Sequence, residues 1–239
     1  MNFLYYFIIP IGLILHILIL RGILTATAYR IYPFLFAYCV VDFLSSVVEA
    51  SAFLGLIRWQ TVSRERFVYF YWANEFLLQL LIFTVMVSLI HKALEHPKAR
   101  RFLVGFIVVL VLTASVASLA YTYSAKSGER VWITDLSGKL SFFSAMLNVI
   151  LWTALIRGSR RNSRLLVIAA GLGVLTTGKS IGHHVRGLSA AAVPYANLFI
   201  VLSHLVCLFA WWWAFYRIPD SSGSASGANP RGQRAVAGH

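Results

Sequence analysis

The stretch that most constrains the fold of this chain runs from residue 171 to residue 186 and reads GLGVLTTGKSIGHHVR. It lies within a run that is apolar enough to cross a membrane, yet it contains a lysine and two adjacent histidines. A charged side chain inside hydrocarbon is costly unless another group pairs with it. We therefore expect the other helices to be arranged so that they provide a partner for Lys179.

The composition of the whole chain indicates the same class of protein. Its 239 residues are 59% hydrophobic and 12% charged, and the mean hydropathy is +0.75. These values are typical of a polytopic membrane protein and not of a soluble domain. The net charge of +13 does not indicate a nucleic-acid partner, because membrane proteins concentrate Lys and Arg in cytoplasmic loops. The predicted surroundings of the chain are therefore a lipid bilayer.

Seven apolar runs are long enough to cross a bilayer, which needs about 20 residues. They are predicted near residues 3–20, 32–57, 67–91, 102–123, 140–157, 165–186 and 195–216. The predicted fold is an all-α bundle of seven transmembrane helices over residues 1–217, with a long outer connection between the fourth and fifth helices. The tail over residues 218–239 is rich in Gly, Ser and Ala, which predicts a disordered cytoplasmic segment.

The distribution of positive charge predicts the orientation of this bundle. Thirteen Lys and Arg residues fall in the first, third and fifth connections and the tail, whereas seven fall on the opposite side. Cytoplasmic loops carry the excess of positive charge. We therefore expect the N-terminus outside and the C-terminus in the cytoplasm, in a multi-pass protein of the cell inner (plasma) membrane.

Several of the predicted helices carry polar side chains at spacings of three and four, which place them on one face. Counted with a rise of about 1.5 Å per residue, most of these groups reach similar depths in the outer half of the bundle. The predicted polar core or ligand-binding set is Lys179, Glu75, Glu49, Asp42, His183, His204, Asn148 and Gln79. The simplest pairing joins Lys179 to Glu75 or Glu49, and a purely structural ion pair is the alternative interpretation.

The small residues of the sixth run have a different interpretation. Gly171, Gly178 and Gly182 follow the spacing of small residues that lets two helices approach closely in a membrane. We expect them to form a helix-packing surface. Cys39 and Cys207 lie in apolar runs without metal-ligand spacing, which favours small buried hydrophobic side chains.

Three cofactors are considered and disfavoured. Microbial rhodopsins hold retinal on a lysine of their last helix, and the last run here has none. A zinc hydrolase of the seven-helix ceramidase type needs histidines and an aspartate around an open metal position. The chain offers a partial set without that family's spacing, namely His183, His184, His204 and Asp42. Haem would require two facing histidines, for which His16 and His91 are a weak pair. No cofactor, metal or catalytic residue is predicted, and enzyme activity is disfavoured.

Two passages resemble one group of proteins. LLVIAAGLGVLTTGKSIGHHVRGL and ANLFIVLSHLVCLFAWWWAFYR are similar to the C-terminal halves of uncharacterised seven-helix bacterial membrane proteins. The similarity is strong over about the last third of the chain and extends to the rest by layout. The resemblance implies the seven-helix topology and brings no activity or binding residue with it.

Three functions remain open from the sequence. The first is a sensor or receptor-like protein that binds a small ligand in the polar pocket and signals through a separate protein partner. The second is a small-solute or proton-coupled transporter that uses the same carboxylates and histidines as a relay. It would need a polar path to the cytoplasmic side, where most helices are nearly all apolar. The third is an accessory subunit of a membrane complex.

Overall fold

The computed structural model describes residues 2–53, 64–93, 105, 129–157 and 163–218. Within these residues the secondary structure is helical and contains no strand, which confirms the predicted all-α class for this part of the chain. The six long helices are α1 (Asn2–Thr25), α2 (Pro33–Phe53), α3 (Arg64–Ala93), α4 (Glu129–Arg157), α5 (Ser163–Leu188) and α6 (Val193–Arg217). Short 3-10 turns at Ala28–Arg30 and Ala190–Ala192 lie in the connections before α2 and α6.

Five of these helices contain segments long and apolar enough to cross a membrane. The segments are Tyr6–Thr25, Pro33–Ser51, Ala73–Ala93, Ser163–Arg186 and Val193–Arg217. By length and composition they make the chain a multi-pass membrane protein. The predicted run over residues 102–123 lies outside the described residues, apart from residue 105.

The helix α4 corresponds to the fifth predicted run and is longer than predicted. It begins at Glu129, well before the predicted start near residue 140, so part of the expected outer connection is helical. Its apolar part, Ser141–Ile156, is shorter than the other five segments. The residues before Ser141 include four charged side chains, which exclude this part from hydrocarbon but are compatible with a helix. Hydropathy therefore located the apolar part of α4 and missed its polar first part.

The six helices form a closed ring in chain order. Each helix packs against the next one along the chain, and α6 packs against α1 to complete the ring. Polar contacts at both ends show that α5 and α6 are antiparallel. Arg186 donates to Asn197 Oδ1 at 2.7 Å where α5 ends and α6 begins, and Arg164 donates to the Ile218 carbonyl at 2.6 Å at the opposite end. We call the end where α6 begins the upper end; α1 also begins there.

A buried tryptophan of α6 contacts two other helices in the lower half of the ring. Trp211 of α6 is fully buried, and its Nε1 donates to the Ile168 carbonyl of α5 at 3.1 Å. Its ring packs edge-on against Tyr38 of α2, with 5.6 Å between the ring centroids. One side chain of α6 thereby contacts two other helices across the interior.

The glycines of α5 lie where this helix meets α6. A Cβ atom on Gly171 would lie 2.9 Å from Trp211 Nε1, which is too close for any side chain without a shift. A Cβ atom on Gly178 or Gly182 would overlap Ser203 and Ile200 respectively. The absence of side chains at these positions lets the backbones of α5 and α6 approach closely.

Candidate functional site

Three titratable side chains from α1, α2 and α6 meet inside the ring, and we call them the histidine–aspartate cluster. His16 Nε2 and His204 Nε2 lie 3.0 Å and 2.8 Å from the same oxygen, Asp42 Oδ2. The side chains of His16 and Asp42 are 2% and 5% exposed, and that of His204 is 25% exposed. A single carboxylate oxygen therefore joins three helices.

The helix α1 fixes the orientation of the His16 ring. His16 Nδ1 lies 2.8 Å from the carbonyl oxygen of Gly12, one turn earlier on the same helix. A carbonyl oxygen accepts hydrogen bonds only, so Nδ1 carries the proton and donates. The rings of His16 and His204 stand edge-on, with their centroids 5.7 Å apart.

A cavity of about 290 Å³ adjoins this cluster between α1, α2 and α6. Most of its wall is apolar. Its polar lining comes from His16 and His204 on one side and from Ser46 and Glu49 of α2 on the other. The remaining lining residues are Ile8, Ile9, Gly12, Leu13, Ala50, Val201, Leu205 and Leu208. The cavity lies mainly above the cluster, because Ile8, Ile9, Glu49 and Ala50 are nearer to the upper end.

A second group of buried charges, the lysine–glutamate cluster, joins α3 to α5. Lys179 Nζ donates to Glu75 Oε1 at 3.2 Å, and His183 Nε2 lies 3.8 Å from the same oxygen. The side chains of Lys179 and Glu75 are 9% and 17% exposed. Of the two carboxylates considered from the sequence as partners of Lys179, Glu75 makes this contact, and Glu49 lines the cavity instead.

Buried amides continue from the lysine–glutamate cluster toward the lower end. Gln79, one turn after Glu75 on α3, donates to Ser144 Oγ of α4 at 3.1 Å. Asn148 of α4 donates to the Ala169 carbonyl of α5 at 2.9 Å. Both amide side chains are buried. We call Gln79, Ser144 and Asn148 the amide track.

The eight residues predicted as a polar core thus occupy three places in the structure. Asp42 and His204 belong to the histidine–aspartate cluster, and Glu49 lies beside it in the cavity wall. The lysine–glutamate cluster contains Lys179, Glu75 and His183, and the amide track contains Gln79 and Asn148. All eight lie on described helices, but the cavity is lined by two of them, Glu49 and His204.

His16 and Ser46 are the site residues that sequence reasoning left out. The sequence analysis considers His16 only as a member of a weak haem pair. The helix runs from Asn2 to Thr25, so His16 lies near its middle. Ser46 lies one turn after Asp42 on the polar face of α2, and that spacing was a usable signal.

The histidine set considered for zinc is divided between the two clusters. His183 belongs to the lysine–glutamate cluster, whereas His204 and Asp42 belong to the histidine–aspartate cluster. His184 is exposed, and its Nδ1 lies 2.7 Å from the Ser180 carbonyl of its own helix. Among the described residues, the group whose ligand atoms could hold a metal ion is His16, Asp42 and His204, with these atoms within 4.8 Å of one another.

The arrangement offers two kinds of chemistry. The histidine–aspartate cluster places nitrogen and oxygen donors beside an open volume, whereas the lysine–glutamate cluster already contains its own cation. Comparison of the chain with protein-family models, with curated proteins and with solved structures finds no match.

Proposed function

We propose that the chain is a sensor or receptor-like membrane protein that binds a small ligand in the cavity between α1, α2 and α6. The observation that carries this proposal is the cavity itself, with apolar walls and four polar side chains. Ligand sites in proteins combine mostly apolar walls with a few polar groups that orient the ligand, in volumes of about 300–1,000 Å³. At about 290 Å³, this cavity suits a ligand at the small end of that range.

The chemistry of the lining supports an amphiphilic ligand. Its apolar part would contact the aliphatic side chains of α1 and α6. Its polar end would face His16, His204, Ser46 and Glu49, which together offer hydrogen-bond donors and acceptors and one carboxylate. Because Glu49 is exposed at the upper part of the cavity, it is placed to meet the ligand first.

The proposal includes the topology expected from the sequence. A seventh spanning helix would lie over residues 102–123. The protein would lie in a bacterial inner membrane, with the upper end facing outside and the C-terminus in the cytoplasm. The distribution of Lys and Arg and the resemblance to seven-helix bacterial proteins support this orientation. The cavity would then be reached from the outer half of the bilayer, and signalling would require a cytoplasmic protein partner.

A cavity-filling variant tests the proposal. The full chain in lipid nanodiscs is screened by thermal unfolding against short-chain alkyl alcohols and alkylamines. We expect at least one probe to raise the unfolding temperature of the native chain and to lose this effect in Ser46→Leu, which places a larger side chain in the cavity wall. Ser51→Leu, on the same helix but outside the lining, is the matched control and should keep the effect. Stabilisation that is equal in both variants, or absent for every probe, would show that the cavity is not a ligand site.

One observation favours a proton-coupled transporter as the second candidate. The amide track carries buried polar groups from the lysine–glutamate cluster toward the lower end, where the sequence had indicated mostly apolar side chains. Uptake of a solute into proteoliposomes that depends on a pH gradient and is lost in both Asp42→Asn and Gln79→Leu would favour this function. Uptake that continues unchanged in these variants would exclude a relay through these groups.

A further inference from the structure

We propose that His16, Asp42 and His204 bind a divalent transition-metal ion, Zn²⁺ or Fe²⁺, at the base of the cavity. The proposal goes beyond the ligand-binding function and does not depend on it, because the three side chains can hold a metal whether or not a second ligand enters. It rests on four features of the cluster: the identity of the donors, their spacing, the orientation of the His16 ring and the adjoining open volume.

The donor set is the first feature. Two imidazole nitrogens and one carboxylate oxygen are the protein ligands of many catalytic zinc sites and of non-haem iron sites. Each donor comes from a different helix, α1, α2 or α6. In the ring, α1 packs against both α2 and α6. Such a site is held by the fold and not by one flexible segment.

The spacing of the donors is the second feature. Asp42 Oδ2 lies 3.0 Å from His16 Nε2 and 2.8 Å from His204 Nε2. Around a tetrahedral metal with bonds of about 2.0–2.1 Å, neighbouring donor atoms lie about 3.3 Å apart. The two observed distances are shorter than this by a few tenths of an ångström. All three ligand atoms lie within 4.8 Å of one another, so side-chain rotations that lengthen the two short distances would make room for the ion.

The orientation of the His16 ring is the third feature. His16 Nδ1 lies 2.8 Å from the Gly12 carbonyl oxygen, so the ring turns Nε2 toward Asp42 Oδ2, 3.0 Å away. Donation of the second ring N–H to a backbone carbonyl is also how proteins orient histidines that ligate metals.

The open volume is the fourth feature. The cavity is lined by both histidines of the cluster, so a metal held there has a coordination position facing the cavity. The side chain of His204 is 25% exposed and lines this cavity. Glu49 adds a second carboxylate in the upper part of the same cavity, about two turns of α2 above Asp42. Three protein ligands with an open position distinguish a reactive metal site from a closed structural one.

The proposal is tested with the full chain purified in detergent and freed of metal with a chelator. Titration with Co²⁺, a spectroscopic substitute for Zn²⁺ and Fe²⁺, is followed by visible absorption, and bound Zn²⁺ is measured by elemental analysis after desalting. We expect one ion per chain. We expect the affinity to fall by about 100-fold or more in Asp42→Asn and His204→Gln, since even outer-shell changes cost about 10–100-fold. His184→Gln, which removes an exposed histidine outside the cluster, should bind as the native chain does.

Several results would overturn the proposal. The first is the absence of stoichiometric binding by the native chain, and the second is equal binding by all of these variants. A third is nitrogen NMR showing both ring nitrogens of His16 protonated at saturating Zn²⁺, because a protonated Nε2 cannot ligate a metal. If Asp42→Asn and His204→Gln fail to fold, the test uses His204→Cys, which replaces the imidazole ligand by a thiolate ligand. A folded His204→Cys chain must show cobalt–thiolate absorption, and its absence would also overturn the site. These readouts use no organic ligand, so they fail or succeed independently of the ligand-binding proposal.

Discussion

Replacing one member of the Lys179–Glu75 pair should destabilise the protein far more than replacing both. The two atoms lie 3.2 Å apart, and both side chains are largely buried. With an effective dielectric constant of about 20, two unit charges at this distance attract each other by about 5 kcal/mol. Removing one partner from a buried pair leaves the other charge without it and costs about 3–5 kcal/mol. We therefore expect a loss of about 3 kcal/mol or more for Lys179→Met and for Glu75→Leu.

The double variant separates an ion pair from simple packing. Replacing a buried ion pair by apolar residues of similar size is often neutral or stabilising, so Lys179→Met combined with Glu75→Leu should recover most of the loss. The free energy of unfolding is measured in mixed micelles by tryptophan fluorescence, and the coupling follows from the double-mutant cycle. Single variants within about 1 kcal/mol of the native chain, or losses that simply add, would refute the reasoning.

Three further expectations concern the packing of α5 and α6. Gly182→Ala should destabilise the protein by about 1–3 kcal/mol, because its Cβ would overlap Ile200. The control Gly105→Ala, whose Cβ would have nothing within 4 Å, should be neutral, and equal melting temperatures of the two variants would contradict this. Trp211→Phe should cost about 1–3 kcal/mol, since it removes the indole N–H bond to the Ile168 carbonyl and part of a fully buried ring, as denaturant unfolding can check. Asn197→Ala, which removes the half-buried contact with Arg186, should cost less than about 1 kcal/mol in the same assay, and a larger loss would assign this contact a greater role.

The sequence predicted the helical class and most helix positions because apolar runs of sufficient length have few other solutions. The prediction was less accurate where a helix extends beyond its apolar run. Arg21 ends the first apolar run, but the helix continues to Thr25, so hydropathy placed the end of α1 about one turn too early. The first part of α4 also extends beyond its apolar run, because charged side chains are disfavoured in lipid but can still form a helix.

The pairing of polar groups depended on information that the sequence does not contain. Glu49 and Glu75 lie at similar depths, so depth alone left the partner of Lys179 open. The order of helices around the ring decides it: Glu49 of α2 faces the cavity beside α1 and α6, whereas Glu75 of α3 reaches Lys179 of α5. Periodicity identifies the polar face of each helix. The direction in which this face points depends on how the helix packs against its neighbours.

The shared oxygen of Asp42 has a consequence for the order in which the protein is assembled. Asp42 enters the membrane early with α2, but one of its two histidine partners is on α6, which follows every other described helix. During synthesis, the ring stays open and Asp42 lacks His204 until α6 is inserted. We expect chains truncated after residue 188 to be degraded faster than full-length chains in a pulse-chase measurement, and Asp42→Leu to slow that degradation. The carboxylate would then act as a checkpoint that distinguishes a finished ring from an incomplete one.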